Sequence, residues 1–134
     1  MSMFEWKQEY SVGFVTIDQQ HKRLFELADE LHKAMIAGKS KEILGRTLSG
    51  LISYTKGHFA TEEGLMRKHG YPEYTKHKAA HDALAAKVAK YEQDFLAGRR
   101  TVGVDLLPFL RDWLTHHIGE TDRKVAEFLN AKAA

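Results

Sequence analysis

The chain contains no cysteine. Disulfides, thiolate metal ligands and iron–sulfur clusters are therefore excluded, and the composition suits a reducing compartment. No stretch is long and apolar enough to span a bilayer. The first residues, MSMFEWKQEYSVGFV, carry charges where a secretion signal would need an apolar run, so the expected location is the cytoplasm. No Lys/Arg block or basic stripe stands out and the net charge is only +2, which argues against nucleic acid as a partner. Both prolines, Pro72 and Pro108, fall where helix starts are expected. What remains is a chain of 134 residues, 43% of them hydrophobic, long enough for one domain with a real core.

Periodicity predicts an all-α, up-down-up-down antiparallel four-helix bundle preceded by an N-terminal arm. The arm covers about residues 1–17, with Phe4, Trp6, Tyr10 and Phe14 packing on the bundle surface, and the bundle covers 18–130. The helices are expected at about 18–37 (Asp18 as N-cap, Gly38 as stop), 41–68, 72–97 and 105–130. Apolar positions recur in steps of three and four, as in the stripe Leu44, Leu48, Leu51, Thr55, His58, Glu62, Leu65. Five glycines, Gly45, Gly50, Gly57, Gly64 and Gly119, sit inside these helices, each at a cost of roughly 1 kcal/mol relative to alanine.

The stripes carry something unexpected. His21, His58, Glu62, His77, His81, His117 and Asp122 all lie on core-facing positions or at their edge. Ionisable side chains are rarely buried unless paired or bound to metal. His58 and Glu62 are i, i+4 on one helix, as are His77 and His81 on the next, so each pair stacks on one face. In the predicted topology all seven fall in one half of the bundle. His117 rather than His116 faces inward, one turn after Trp113, whereas the step of five from His117 to Asp122 is not a same-face spacing in an α-helix. His32, His69 and His116 are read as surface or capping residues.

The plain alternative is a set of satisfied core polar groups. It suits one histidine but not seven convergent groups, because each buried unsatisfied polar group costs roughly 1–3 kcal/mol against a total stability of about 5–15 kcal/mol. Imidazole suits zinc, copper, iron and nickel. Seven donors exceed one tetrahedral zinc and suit two metals, with the carboxylates bridging and the histidines divided three and two. The metal with fewer ligands keeps an open position, which in an apolar core suits a small uncharged ligand.

Four segments carry a resemblance: DQQH ending at His21, HFATEE from His58, HKAAH from His77 to His81, and WLTHHIGETD from Trp113 to Asp122. In this order and spacing they resemble the hemerythrin family, in particular its single-domain bacterial members, over about Phe4 to Asn130. The resemblance implies a non-haem di-iron site. His77, His81 and His117 would hold one iron and His21 and His58 the other, with Glu62, Asp122 and an oxo or hydroxo group bridging. It implies reversible dioxygen binding on the two-histidine side, in a pocket including Leu114, Ile118, Trp113 and Phe59. The resulting expectation is an oxygen-binding protein for storage, delivery or scavenging, not an enzyme. It would be a monomer, with an O2-consuming enzyme as a possible recipient. The competing readings are an O2 or redox sensor acting through a separate partner, and a di-iron oxidase or peroxidase; the histidine-rich donor set argues against the latter. One departure is Val125, where many family members have a tyrosine. It removes that tyrosine's hydrogen bond and leaves the ligand set untouched.

Overall fold

The structure is a computed structural model that describes residues 4–98 and 106–133. A short 3-10 turn, Gln8–Tyr10, precedes α1 (Val15–Ile36), α2 (Lys41–His69) and α3 (Tyr74–Leu96). The fourth rod is continuous but changes pitch: α4 (Leu107–His116) runs into a π-helical turn (His117–Asp122) and then α5 (Arg123–Ala133). Among the described residues there is no strand, and the rods form the expected antiparallel four-helix bundle. None of the helices is long and apolar enough to cross a membrane.

The helix ends follow from local chemistry. Ser40 caps α2 by accepting the Ile43 N–H at 3.3 Å. Gly70 ends it at φ 70°, ψ 40°, a conformation that costs glycine nothing, and the Tyr71 N–H then reaches back to Met66 O at 2.9 Å. Gly38 closes α1 the same way, at φ 69°.

Three boundaries differ from expectation. α1 begins at Val15, not Asp18. The Asp18 carboxylate does not cap the helix; it turns back to the arm, accepting from Ser11 Oγ at 2.6 Å and Val12 N–H at 2.8 Å. Pro72 stays in the turn before α3, which starts at Tyr74. The expected start of the fourth helix at Asp105 lies outside the described residues. The arm is also less superficial than expected. Phe4 is buried, and Tyr10 stacks on Phe25 at 5.2 Å between ring centres with Trp6 edge-on to both.

Two apolar clusters fill the interior. The larger contains Leu24, Leu31, Leu48, Leu51, Phe59, Leu84, Leu110, Leu114 and Ile118; the smaller contains Ile17, Met66, Val125 and Leu129. Between them lies a polar layer, and the chain enters it in the same way on three rods. Ile17, His21, Leu24 on α1 pass from smaller cluster to polar layer to larger cluster. Met66, Glu62, Phe59 on α2 and Val125, Asp122, Ile118 on the fourth rod do likewise, read from the smaller cluster.

Candidate metal centre

The structure brings all seven sequence-predicted residues together in this layer. None is more than 4% exposed. Every histidine aims its Nε2 at a carboxylate. His21 Nε2 is 2.9 Å from Asp122 Oδ2, His58 Nε2 2.9 Å from Glu62 Oε2, and His117 Nε2 2.9 Å from Asp122 Oδ1. His77 Nε2 lies 2.9 Å from Glu62 Oε1 and 3.1 Å from Asp122 Oδ1, and His81 Nε2 lies 3.6 Å from Glu62 Oε1.

Proximity is not the same as satisfaction. Of these approaches only His77 to Glu62 has hydrogen-bond geometry. Among the described residues, His21 Nδ1 and Nε2, Glu62 Oε2, His81 Nε2, His117 Nε2 and both Asp122 oxygens have no hydrogen-bond partner. At roughly 1–3 kcal/mol per orphaned group, that debt rivals the stability of a whole domain. Cations held by the Nε2 and carboxylate atoms remove most of it and leave only His21 Nδ1 of these groups without a partner. Donors about 2.1 Å from one ion and at right angles around it lie about 3 Å apart, which is the spacing found here.

The grouping is specific. Donor atoms of Glu62, His77, His81, His117 and Asp122 lie within 4.8 Å of one another, and so do those of His21, His58, Glu62 and Asp122. The histidines divide three and two, and both carboxylates belong to each group.

Two residues whose roles the sequence did not disclose fix the rings. Gln20 Oε1 accepts from His58 Nδ1 at 2.7 Å, and Glu63 Oε2 accepts from His81 Nδ1 at 2.9 Å. An amide or carboxylate oxygen only accepts, so Nδ1 carries the proton and Nε2 is the donor atom left for a metal. Gln20 is itself oriented: its Nε2 reaches Thr61 Oγ1 at 3.5 Å, and the Thr61 hydroxyl donates to Gly57 O. Both residues lie in the motifs, beside His21 and Glu62, but their targets sit on another helix.

The fourth rod resolves the step of five. A π turn takes more than four residues, so His117 and Asp122 face the same way without any reach by the carboxylate. His116 points outward, 71% exposed, 3.5 Å from Glu120.

Without metal the layer is a charge network. Burial alone would push the His21 imidazole down; the adjacent Asp122 and Glu62 carboxylates more than offset it and raise it to about 9, and His77 follows the same balance to about 9. His81 goes the other way, to about 4, because burial and the neighbouring His77 and His117 outweigh Glu62 and Glu63. Burial would raise both carboxylates, and the Asp122 charge would raise Glu62 further. Instead His21, His58 and His77 hold Glu62 down to about 2, and His117, His21 and His77 hold Asp122 well below the usual range.

Beside the layer is an apolar cavity of about 30 Å³, lined among others by Leu24, Phe59, Leu84, Trp113 and Leu114. Phe59 stacks on His81 at 3.7 Å and Trp113 on His117 at 4.2 Å, so these two rings lie between the cavity and the His81 and His117 imidazoles. Ile118 is buried but does not line this cavity.

An all-α bundle with a buried layer of imidazoles and two shared carboxylates defines a non-haem metal-binding helical protein. Comparison with known proteins agrees. Residues 12–129 match the hemerythrin HHE cation binding domain. The chain is 36% identical to a bacteriohemerythrin of Methylococcus capsulatus, over 98% of this chain and 100% of that one. It is 34% identical to a bacteriohemerythrin of Stenotrophomonas maltophilia, over 98% of this chain and 84% of that one. A wild-type hemerythrin crystal structure superposes with a TM-score of 0.87 at 35% identity, covering 93% of this chain and 96% of the other. The chain belongs to the hemerythrin family.

Proposed function

We propose that this chain holds two iron ions in the polar layer and binds dioxygen reversibly there, for storage, delivery or scavenging. His77, His81 and His117 would hold one ion and His21 and His58 the other, with Glu62 and Asp122 shared. The observation that carries the reading is the division of donors into two groups with both carboxylates in common. The ion with fewer protein ligands keeps room for a ligand. When bound as a ferrous pair, the irons supply the electrons that dioxygen needs to bind.

The chain's own residues do the rest. Gln20 and Glu63 hold the His58 and His81 rings with Nε2 inward. The cavity, about 30 Å³ against the roughly 10–15 Å³ needed for one water-sized sphere, has room for a diatomic molecule, and its apolar walls disfavour water and anions. Phe59, Trp113 and Leu114 are the proposed pocket residues that line this cavity, and Leu24, one turn after His21, joins them from the two-histidine side; Ile118 packs in the core outside it.

A binding role is favoured over catalysis because the donor set has five imidazoles and only two carboxylates. We read the chain as one hemerythrin-like domain, an arm leading into a bundle that begins at Val15, acting as a monomer in the cytoplasm and passing dioxygen to an O2-consuming enzyme. The test is spectroscopic. The reduced protein, exposed to O2 and then purged, should gain and lose a visible chromophore over repeated cycles. Irreversible conversion to a diferric spectrum in the first cycle would refute the carrier reading.

A further inference from the structure

The π turn that aligns His117 with Asp122 needs a support of its own. Such turns are rare, appear mostly as single turns inside α-helices, and are frequent at functional sites. In a regular α-helix the Gly119 carbonyl would accept the backbone N–H of Arg123. Here that N–H goes to Glu120 O instead. The Arg123 side chain takes its place: Nε donates to Gly119 O at 3.2 Å. The same guanidinium donates from Nη2 to Glu9 O, in the 3-10 turn of the arm, at 2.9 Å. One planar group thus joins the π turn to a segment 114 residues away in sequence.

The far end of this brace is fixed. Ser11 and Val12 are bonded to Asp18 on α1, and Asn130 Nδ2 on α5 donates to Gly13 O at 3.1 Å. Trp6 and Tyr10 pack on Phe25. The arm is therefore anchored on both sides of Glu9.

We propose that Arg123 is a positioning residue for the metal centre, holding the π turn in register through Gly119 O and the arm through Glu9 O. The inference rests on the metal reading of the layer. It also gives the N-terminal arm a role beyond packing, since the arm supplies the second acceptor. A lysine at 123 reaches one carbonyl but lacks the rigid fork that holds two at once.

The test is anaerobic titration with Co2+, whose visible bands report the ligand field, in competition with a chelator of known affinity. Wild type, Arg123→Ala, Arg123→Lys and the control Leu48→Ala are compared; Leu48 is buried in the first half of α2. Arg123→Ala should bind about 10- to 100-fold more weakly, the usual cost of losing a group that orients metal ligands, with altered bands. Arg123→Lys should fall between it and wild type. Leu48→Ala should melt earlier than wild type yet keep wild-type affinity and bands. Wild-type affinity and bands in Arg123→Ala would overturn the proposal, as would equal weakening in Leu48→Ala. If Arg123→Ala does not fold, full wild-type affinity in Arg123→Lys overturns it. Wild-type protein that takes up no cobalt would refute the metal reading itself, an outcome distinct from a wild type that binds and an Arg123 variant that binds equally well.

Discussion

His117 and Asp122 are five residues apart, yet His117 Nε2 lies 2.9 Å from Asp122 Oδ1. An α-helix would turn the two side chains away from each other. The π turn between them makes them neighbours, and this local irregularity puts a carboxylate from the fourth rod between the imidazoles of the other three. Glu62 reaches the same point from α2 by ordinary i, i+4 stacking with His58. The centre thus combines one regular and one irregular solution to the same problem.

The charge network predicts how the metal-free protein responds to pH. His21 and His77 are raised in the folded state to about 9, so their contribution is fully present below their unfolded value near 6.5 and is lost as pH rises through 9. His81 is lowered to about 4, so its contribution is present above about 6.5 and is lost as pH falls through 4. Glu62 and Asp122 weaken the fold only at more acid pH, below their ordinary values. Chelated protein should therefore melt highest near pH 6.5. Above the ordinary carboxylate range only His81 acts on the acid side against His21 and His77 on the alkaline side, so between about pH 5 and 9 the decline should be steeper toward pH 9. A melting temperature that rises from pH 6.5 to 9 would contradict this.

The helix glycines offer a stability test away from the centre. A Cβ at Gly50 or Gly64 meets nothing within 4 Å, and both residues lie inside α2. Gly50→Ala and Gly64→Ala should each stabilise the protein by about 0.5–1 kcal/mol, seen as a higher denaturation midpoint in urea. A lower midpoint would show that these positions need glycine for a reason other than space.

Leu114 lines the cavity beside the centre, and Leu48 is buried elsewhere in the same apolar cluster. Truncation of either to alanine should cost about 2–5 kcal/mol. Only Leu114→Ala should speed O2 entry and exit, followed by stopped flow, and hasten autoxidation of the oxygenated form. Equal autoxidation in the two variants would make Leu114 ordinary packing.

Much of this was legible in the sequence. The bundle followed from apolar steps of three and four, and the seven donors stood out because charge on a core stripe is costly. Less visible were features set by another element. Asp18 reads as a helix cap, but the arm offers its carboxylate Ser11 and Val12 first. Pro72 reads as a helix start, but the turn after Gly70 holds it outside α3. Gln20 and Glu63 are polar residues beside ligands, and nothing local says that each reaches a ring on a different helix. The π turn left one trace: a spacing of five where the chemistry called for one face. Arg123 left none, because its partner Glu9 lies at the other end of the chain.

In the proposed centre two ions share Glu62 and Asp122. Anaerobic titration with ferrous iron, followed by metal analysis after desalting, tests it most directly. Wild type and His116→Ala should each hold two irons per chain, since His116 faces outward. Glu62→Ala and Asp122→Ala should each impair both sites together, leaving well under two irons and no di-iron chromophore. Wild-type protein that saturates at one iron, or a Glu62→Ala variant that still holds two, would contradict the shared-carboxylate centre.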